Sequence, residues 1–112
     1  MKTLSILLFI ILGFLFITVN NSAVAVETIN GAEIFQIHCS GCHPNGSNII
    51  RRGKNLRLKT LQRNKLDTLE AITDLVTYGK NNMSAYQEKL TPQEIEAVSH
   101  YVLEQANHNW KS

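Results

Sequence analysis

Five consecutive residues, Cys39-Ser40-Gly41-Cys42-His43, constrain this chain more than any other feature in it. Two thiols at this spacing stand about one helical turn apart. They match two vinyl groups along one edge of a porphyrin, and the histidine that follows is set to offer its imidazole to the iron from one face. This is the attachment pattern of a c-type haem. Other readings of the cysteine pair fit less well. A structural zinc site takes four ligands, and outside the pattern the chain offers only His38, His100 and His108, without a second tight pair. A thioredoxin-type redox pair belongs in a βαβ setting, and no run here alternates as a strand. A plain disulfide leaves His43 unexplained. One covalent haem c is expected, held by Cys39 and Cys42, with His43 as an axial ligand.

The N-terminus reads as a targeting segment. Lys2 gives a basic start, Leu4 to Val19 is an apolar run of 16 residues, and Ala23-Val24-Ala25 is a small-x-small site for a signal peptidase. That order is the order of a secretory leader. The run is shorter than the roughly 20 residues of a comfortable membrane span; an uncleaved anchor is the alternative. Residues 1–25 are expected to be a signal peptide and 26–112 the mature domain. Removing the leader from 112 residues leaves 87, and the formal charge falls from +2 to +1 as Lys2 is lost. A domain that small has a marginal core by itself. A large covalent cofactor would add to it, and export suits a haem attached after translocation.

The remaining chain reads as helices joined by loops, an all-α domain. Asn30 with Glu33 has the form of a capping box, opening a helix expected to reach about Cys42, because Pro44 disfavours helical geometry at His43. Residues 44–66 look irregular, with a short helical piece near Asn55 to Leu61. Asp67 with Glu70 repeats the capping pattern, and Leu69, Ile72, Leu75 and Val76 recur at helical spacing. Gly79 is a natural stop. A loop over 79–90 carries Met83. Thr91-Pro92-Gln93-Glu94 is the clearest helix start, with a cap, a proline at the first helical position and a glutamate at the third. Ile95, Val98, Val102, Leu103 and Ala106 line the helix that follows.

Met83 is the only methionine left after leader removal, forty positions beyond His43 in a loop rich in Gly and Asn. A thioether there can swing over the second haem face, and it raises the reduction potential relative to a second histidine. The bland alternative is a methionine filling a core gap. With both axial positions filled, substrate chemistry at the iron is disfavoured and electron transfer favoured.

Beyond the haem motif, the chain resembles the class I c-type cytochromes, and within them the cytochrome c6 family. The resemblance runs from Gly31 to Trp110. It is carried by Ala71-Ile72-Thr73, by Val76-Thr77-Tyr78-Gly79-Lys80-Asn81-Asn82-Met83, by Ile95-Glu96 and Tyr101-Val102-Leu103, and by Trp110. It implies the class I cytochrome c fold, about four helices around one covalent haem. The first and last helices would cross where Gly31 and Phe35 meet the Tyr101 region. It also implies one-electron transfer from the cytochrome b6f complex to photosystem I. Three residues depart from the family pattern. Leu75 stands where high-potential members carry Gln, and an aliphatic residue here marks lower-potential paralogues. Ser84 replaces the proline after the Met ligand, which loosens that loop. Lys89 replaces an arginine associated with docking, keeping charge but losing the planar fork.

Charge is uneven. Arg51, Arg52, Lys54, Arg57, Lys59, Arg63 and Lys65 fall within fifteen residues that contain no acid. One reading is a basic face that steers docking onto an acidic partner; another is a solvated loop partly neutralising the haem propionates. No nucleic-acid motif accompanies the cluster, and an exported chain of near-neutral charge is a poor nucleic-acid binder. The expectation is a soluble monomeric electron carrier, not an enzyme. Its compartment is the thylakoid lumen, or the periplasm, which uses similar signals. Alternatives are a lower-potential paralogue on another route, a haem-based redox or ligand sensor, and an electron-input subunit of a larger enzyme.

Overall fold

The computed structural model describes residues 28–111, and Thr3 ahead of them. The expected leader over residues 1–25 lies outside the described residues, Thr3 apart. Four α-helices follow in order: α1 (Gly31–His38), α2 (Leu58–Arg63), α3 (Leu69–Tyr78) and α4 (Pro92–Asn107), with 3₁₀ turns at Pro44–Gly46 and Arg52–Lys54 between α1 and α2. Among the described residues there is no strand; one isolated antiparallel bridge joins Lys80 and Met83. No helix among them is long and apolar enough to cross a membrane.

The helix starts follow short-range chemistry, with three corrections, the first being that Glu33 does not make the return bond of a capping box to Asn30. Asn30 caps α1, its side chain accepting from the N–H groups of Ala32 and Glu33. At α4 the Thr91 hydroxyl accepts from the Glu94 N–H while the Glu94 carboxylate accepts from the Thr91 N–H at 2.7 Å. The cap of α3 is Thr68 rather than Asp67, its hydroxyl accepting from the Ala71 N–H at 3.2 Å. The piece expected from Asn55 starts only at Leu58, because the Asn55 side chain accepts from the Arg57 N–H and holds Arg57 extended. Such local side-chain bonds compete with the helix ladder.

The first helix is also shorter than expected, ending at His38 rather than near Cys42. The Phe35 carbonyl accepts from both Cys39 N–H at 2.8 Å and Ser40 N–H at 2.9 Å, which unwinds the ladder. Residues 39–42 continue as turns, closed by the His43 N–H donating to the Cys39 carbonyl at 2.9 Å.

Helix α4 is the element on which α1, α2 and α3 all pack. Phe35, Leu61, Ile72, Val76, Leu90, Ile95, Val98, Val102, Ala106 and Trp110 form the buried core. As expected, α1 crosses α4 at Gly31, and Phe35 packs on Tyr101 with ring centroids 5.4 Å apart.

Candidate functional site

The segment after α1 leaves Cys39 half-buried and Cys42 exposed. Both cysteines, His43 and Met83 line one cavity of about 280 Å³. That lies just below the roughly 300–1,000 Å³ typical of cofactor and ligand sites. The sequence separates His43 from Met83 by forty positions; the fold brings them to one space.

His43 is held in one tautomer. Its Nδ1 lies 2.8 Å from the Ser47 carbonyl oxygen. A carbonyl only accepts, so Nδ1 carries the proton and Nε2 keeps its lone pair for a metal. Burial holds the imidazole below its ordinary pKa, against the opposing pull of the Ser47 bond. The neutral, ligating form therefore prevails at neutral pH.

Met83 is presented by a pinned loop. Met83 and Lys80 exchange two backbone hydrogen bonds of 3.0 Å, and the Tyr86 N–H returns to the Val76 carbonyl at 2.9 Å. Gly79 makes the reversal at φ 69°, where a Cβ would stand 2.6 Å from the Met83 carbonyl oxygen. These ties flank Ser84, so the loop is anchored on both sides of the position where the family pattern has proline.

The cavity has two kinds of wall. Leu56, Leu61, Ile72, Leu75, Val76 and Val98 supply an apolar surface, while Asn48, Arg51, Lys54, Asn55 and Asn64 supply a polar and cationic one. The polar wall is pre-ordered. Asn48 accepts from the Arg51 N–H at 2.7 Å and donates to the Lys54 carbonyl at 3.1 Å, and the Lys54 ammonium donates to the Asn64 side chain at 2.7 Å. This amphiphilic lining, with two thiols, an imidazole and a thioether, fits a haem: apolar walls for the macrocycle, cations for its propionates.

The residues singled out in the sequence are not all brought here. Leu75 and Arg51 reach the cavity lining, whereas Arg52 and Lys89 do not. The Lys89 ammonium stands 5.4 Å from the centre of the Tyr86 ring, and it is Tyr86 that lines the cavity. Tyr86 itself was not legible as a site residue. Its hydroxyl donates to the His38 carbonyl at 3.0 Å, tying the methionine loop to the residue before Cys39. Lys54, named in the basic cluster, does reach the lining; Asn48 and Asn64 were missed, their only signal a basic stretch rich in asparagine.

Comparison with known proteins bears on this geometry. The family described as cytochrome c oxidase, cbb3-type, subunit III matches residues 27–102. A cytochrome c6-like protein of Nostoc sp. strain PCC 7120 is 59% identical over 98 residues, covering 88% of each chain. Cytochrome c6 of the same strain is 39% identical over 92 residues, covering 82% of this chain and 83% of its own. The crystal structure of cytochrome c6C from Synechococcus sp. PCC 7002 superposes with a TM-score of 0.70 at 56% identity, covering 71% of this chain and 98% of that one.

Proposed function

The chain belongs to the cytochrome c6 family, and from that premise we propose that it shuttles single electrons through a haem held by Cys39 and Cys42 and ligated by His43 and Met83. It is an electron carrier rather than an enzyme, it has the class I cytochrome c fold, and its cofactor is one covalent c-type haem. The observation that carries the ligand assignment is the single cavity lined by all four of these side chains. The bound haem supplies an iron that cycles between two oxidation states. The protein keeps Nδ1 of His43 on Ser47, holds Met83 on a pinned loop, and surrounds the macrocycle with apolar side chains. His43 and Met83 held in this way would need little rearrangement for each electron.

On this reading residues 1–25 are a cleaved export signal and the mature domain works in the thylakoid lumen. The donor is the cytochrome b6f complex and the acceptor photosystem I. Docking uses Arg51 on the cavity lining, the adjacent exposed Arg52, and Lys89 beside Tyr86. A second reading, a lower-potential paralogue on another electron-transfer route, has two supports. Leu75 lines the cavity where the family's high-potential members carry an amide. Identity to the c6-like relative is 59%, against 39% to cytochrome c6 of the same strain.

A spectroscopically monitored redox titration of the haem-loaded protein tests both readings. A midpoint in the high range of His-Met cytochromes supports the photosystem route, and a markedly lower one supports the paralogue. Carbon monoxide added to the reduced protein checks the ligands. An unchanged spectrum is expected with both axial positions filled; a shifted spectrum would remove Met83 from the iron and favour a ligand sensor.

A further inference from the structure

Trp110 does not line the cavity, yet it grips the segment that orients His43. It is only 6% exposed although it stands two positions from the chain end. To insert it, the backbone adopts φ of 54° at Asn109 and 55° at Trp110, a region uncommon for residues other than glycine. The Trp110 N–H donates to the Gln105 carbonyl at 2.8 Å, folding the tail back over the end of α4. The indole packs against Phe35 at 5.1 Å and Tyr101 at 6.1 Å between ring centroids.

Two further contacts lie on the loop between α1 and α2. The indole N–H donates to the Leu56 carbonyl at 2.9 Å. The Leu56 N–H in turn donates to the Gly46 carbonyl at 2.7 Å. Gly46, at φ 75°, lies so close under the indole that a Cβ there would overlap the ring. Both ends of the 46–56 loop are thus held by one side chain. Gly46 is bonded to His43 through its N–H at 3.1 Å, and the residue after it, Ser47, is the acceptor for the His43 Nδ1–H.

We infer that Trp110 is a positioning residue for His43, a C-terminal latch that holds Gly46 and Leu56 and so fixes the Ser47 carbonyl against the imidazole. The inference rests on the proposed ligation of iron by His43. A ligating histidine whose second nitrogen donates to a carbonyl is a stronger electron donor to the metal and keeps one ring orientation. Loosening the latch lengthens that bond, weakens donation to the oxidised iron and raises the midpoint potential.

The test uses the haem-loaded full chain and the variant Trp110→Phe, which keeps an aromatic ring and removes the indole N–H. Proton NMR of the oxidised wild type first reads His43, whose ring resonances are hyperfine-shifted if it ligates. Exchange of its Nδ1–H is then compared with that of the Val102 amide in the core of α4. Trp110→Phe is expected to raise the ratio of the two exchange rates roughly fivefold, the loss of about one hydrogen bond acting locally, and to shift the midpoint upward. Gly46→Ala disturbs the latch from the opposite side and should reproduce both changes. A ratio and midpoint that stay at wild-type values while thermal stability falls would reduce the indole to core filling and overturn the inference. Unshifted His43 resonances in the wild type would overturn the ligand assignment and the latch with it.

Discussion

Gly31 meets the carbonyl of Ala97 where α1 crosses α4, with no room for a side chain between them. A Cβ on Gly31 would overlap the carbonyl oxygen, stand 2.8 Å from the carbonyl carbon and lie 3.1 Å from the Cβ of Tyr101. Two of these neighbours are helical backbone, which cannot rotate aside. Gly31→Ala should therefore destabilise the haem-loaded protein by roughly 1–3 kcal/mol, the range for overpacking a tight contact. The modest gain in helix propensity does not offset this. Chemical denaturation followed by the haem absorbance measures it, and a variant as stable as the parent would mean the crossing is looser than the structure has it.

Met83 is the proposed sixth ligand, and its removal has a directional effect. Met83→Ala should lower the midpoint by more than about 59 mV, a tenfold change in a one-electron equilibrium. It should also make the reduced iron bind carbon monoxide. Stability should fall too, since Met83 packs against the core. Potentiometry and a carbon monoxide spectrum read the first two effects separately from the third. An unaltered midpoint with no carbon monoxide binding would assign the sixth position elsewhere.

Leu75 offers the complementary change. It lies half-buried on the cavity wall, beside the Val76 that anchors the methionine loop. Leu75→Gln brings an amide dipole to the haem, as in the family's high-potential members, and should raise the midpoint by an amount on the order of 59 mV. An amide left without a partner costs about 1–3 kcal/mol in stability, so melting and potential should move in opposite directions. A potential that does not rise would separate Leu75 from redox tuning.

Arg51 and Arg52 are exposed at the start of a fifteen-residue stretch, 51–65, that contains no acid, next to exposed Ile49 and Ile50. Attraction of this face to an acidic partner should weaken as salt shortens the Debye length, about 10 Å at 0.1 M. Stopped-flow electron transfer to an acidic redox protein should slow with ionic strength. Arg52→Gln, at a position outside the cavity lining, should flatten that dependence and leave the midpoint nearly unchanged. A salt dependence equal to the parent's would move the docking face away from this loop.

The features readable from sequence were those written in adjacent residues. The Cys39-Cys42-His43 spacing announced the cofactor, Thr91 with Glu94 announced the start of α4, and Gly79 announced the end of α3. Each is a contact across a few positions, so its outcome depends little on the rest of the chain. The errors were local as well. A carbonyl shared between Cys39 and Ser40 shortened α1, and the side chains of Thr68 and Asn55 outcompeted the expected caps and starts.

The tertiary structure alone decided what lies far apart in sequence. No pattern of neighbours brings Met83 into the cavity of His43, ties Tyr86 to the His38 carbonyl, or seats the Trp110 indole on Gly46 and Leu56. Those relations come from packing three helices onto α4, where long-range contacts must satisfy buried polar groups and exclude voids together. The sequence therefore determined the chemistry that this chain can carry. Packing determined which side chains surround that chemistry and how firmly they hold it.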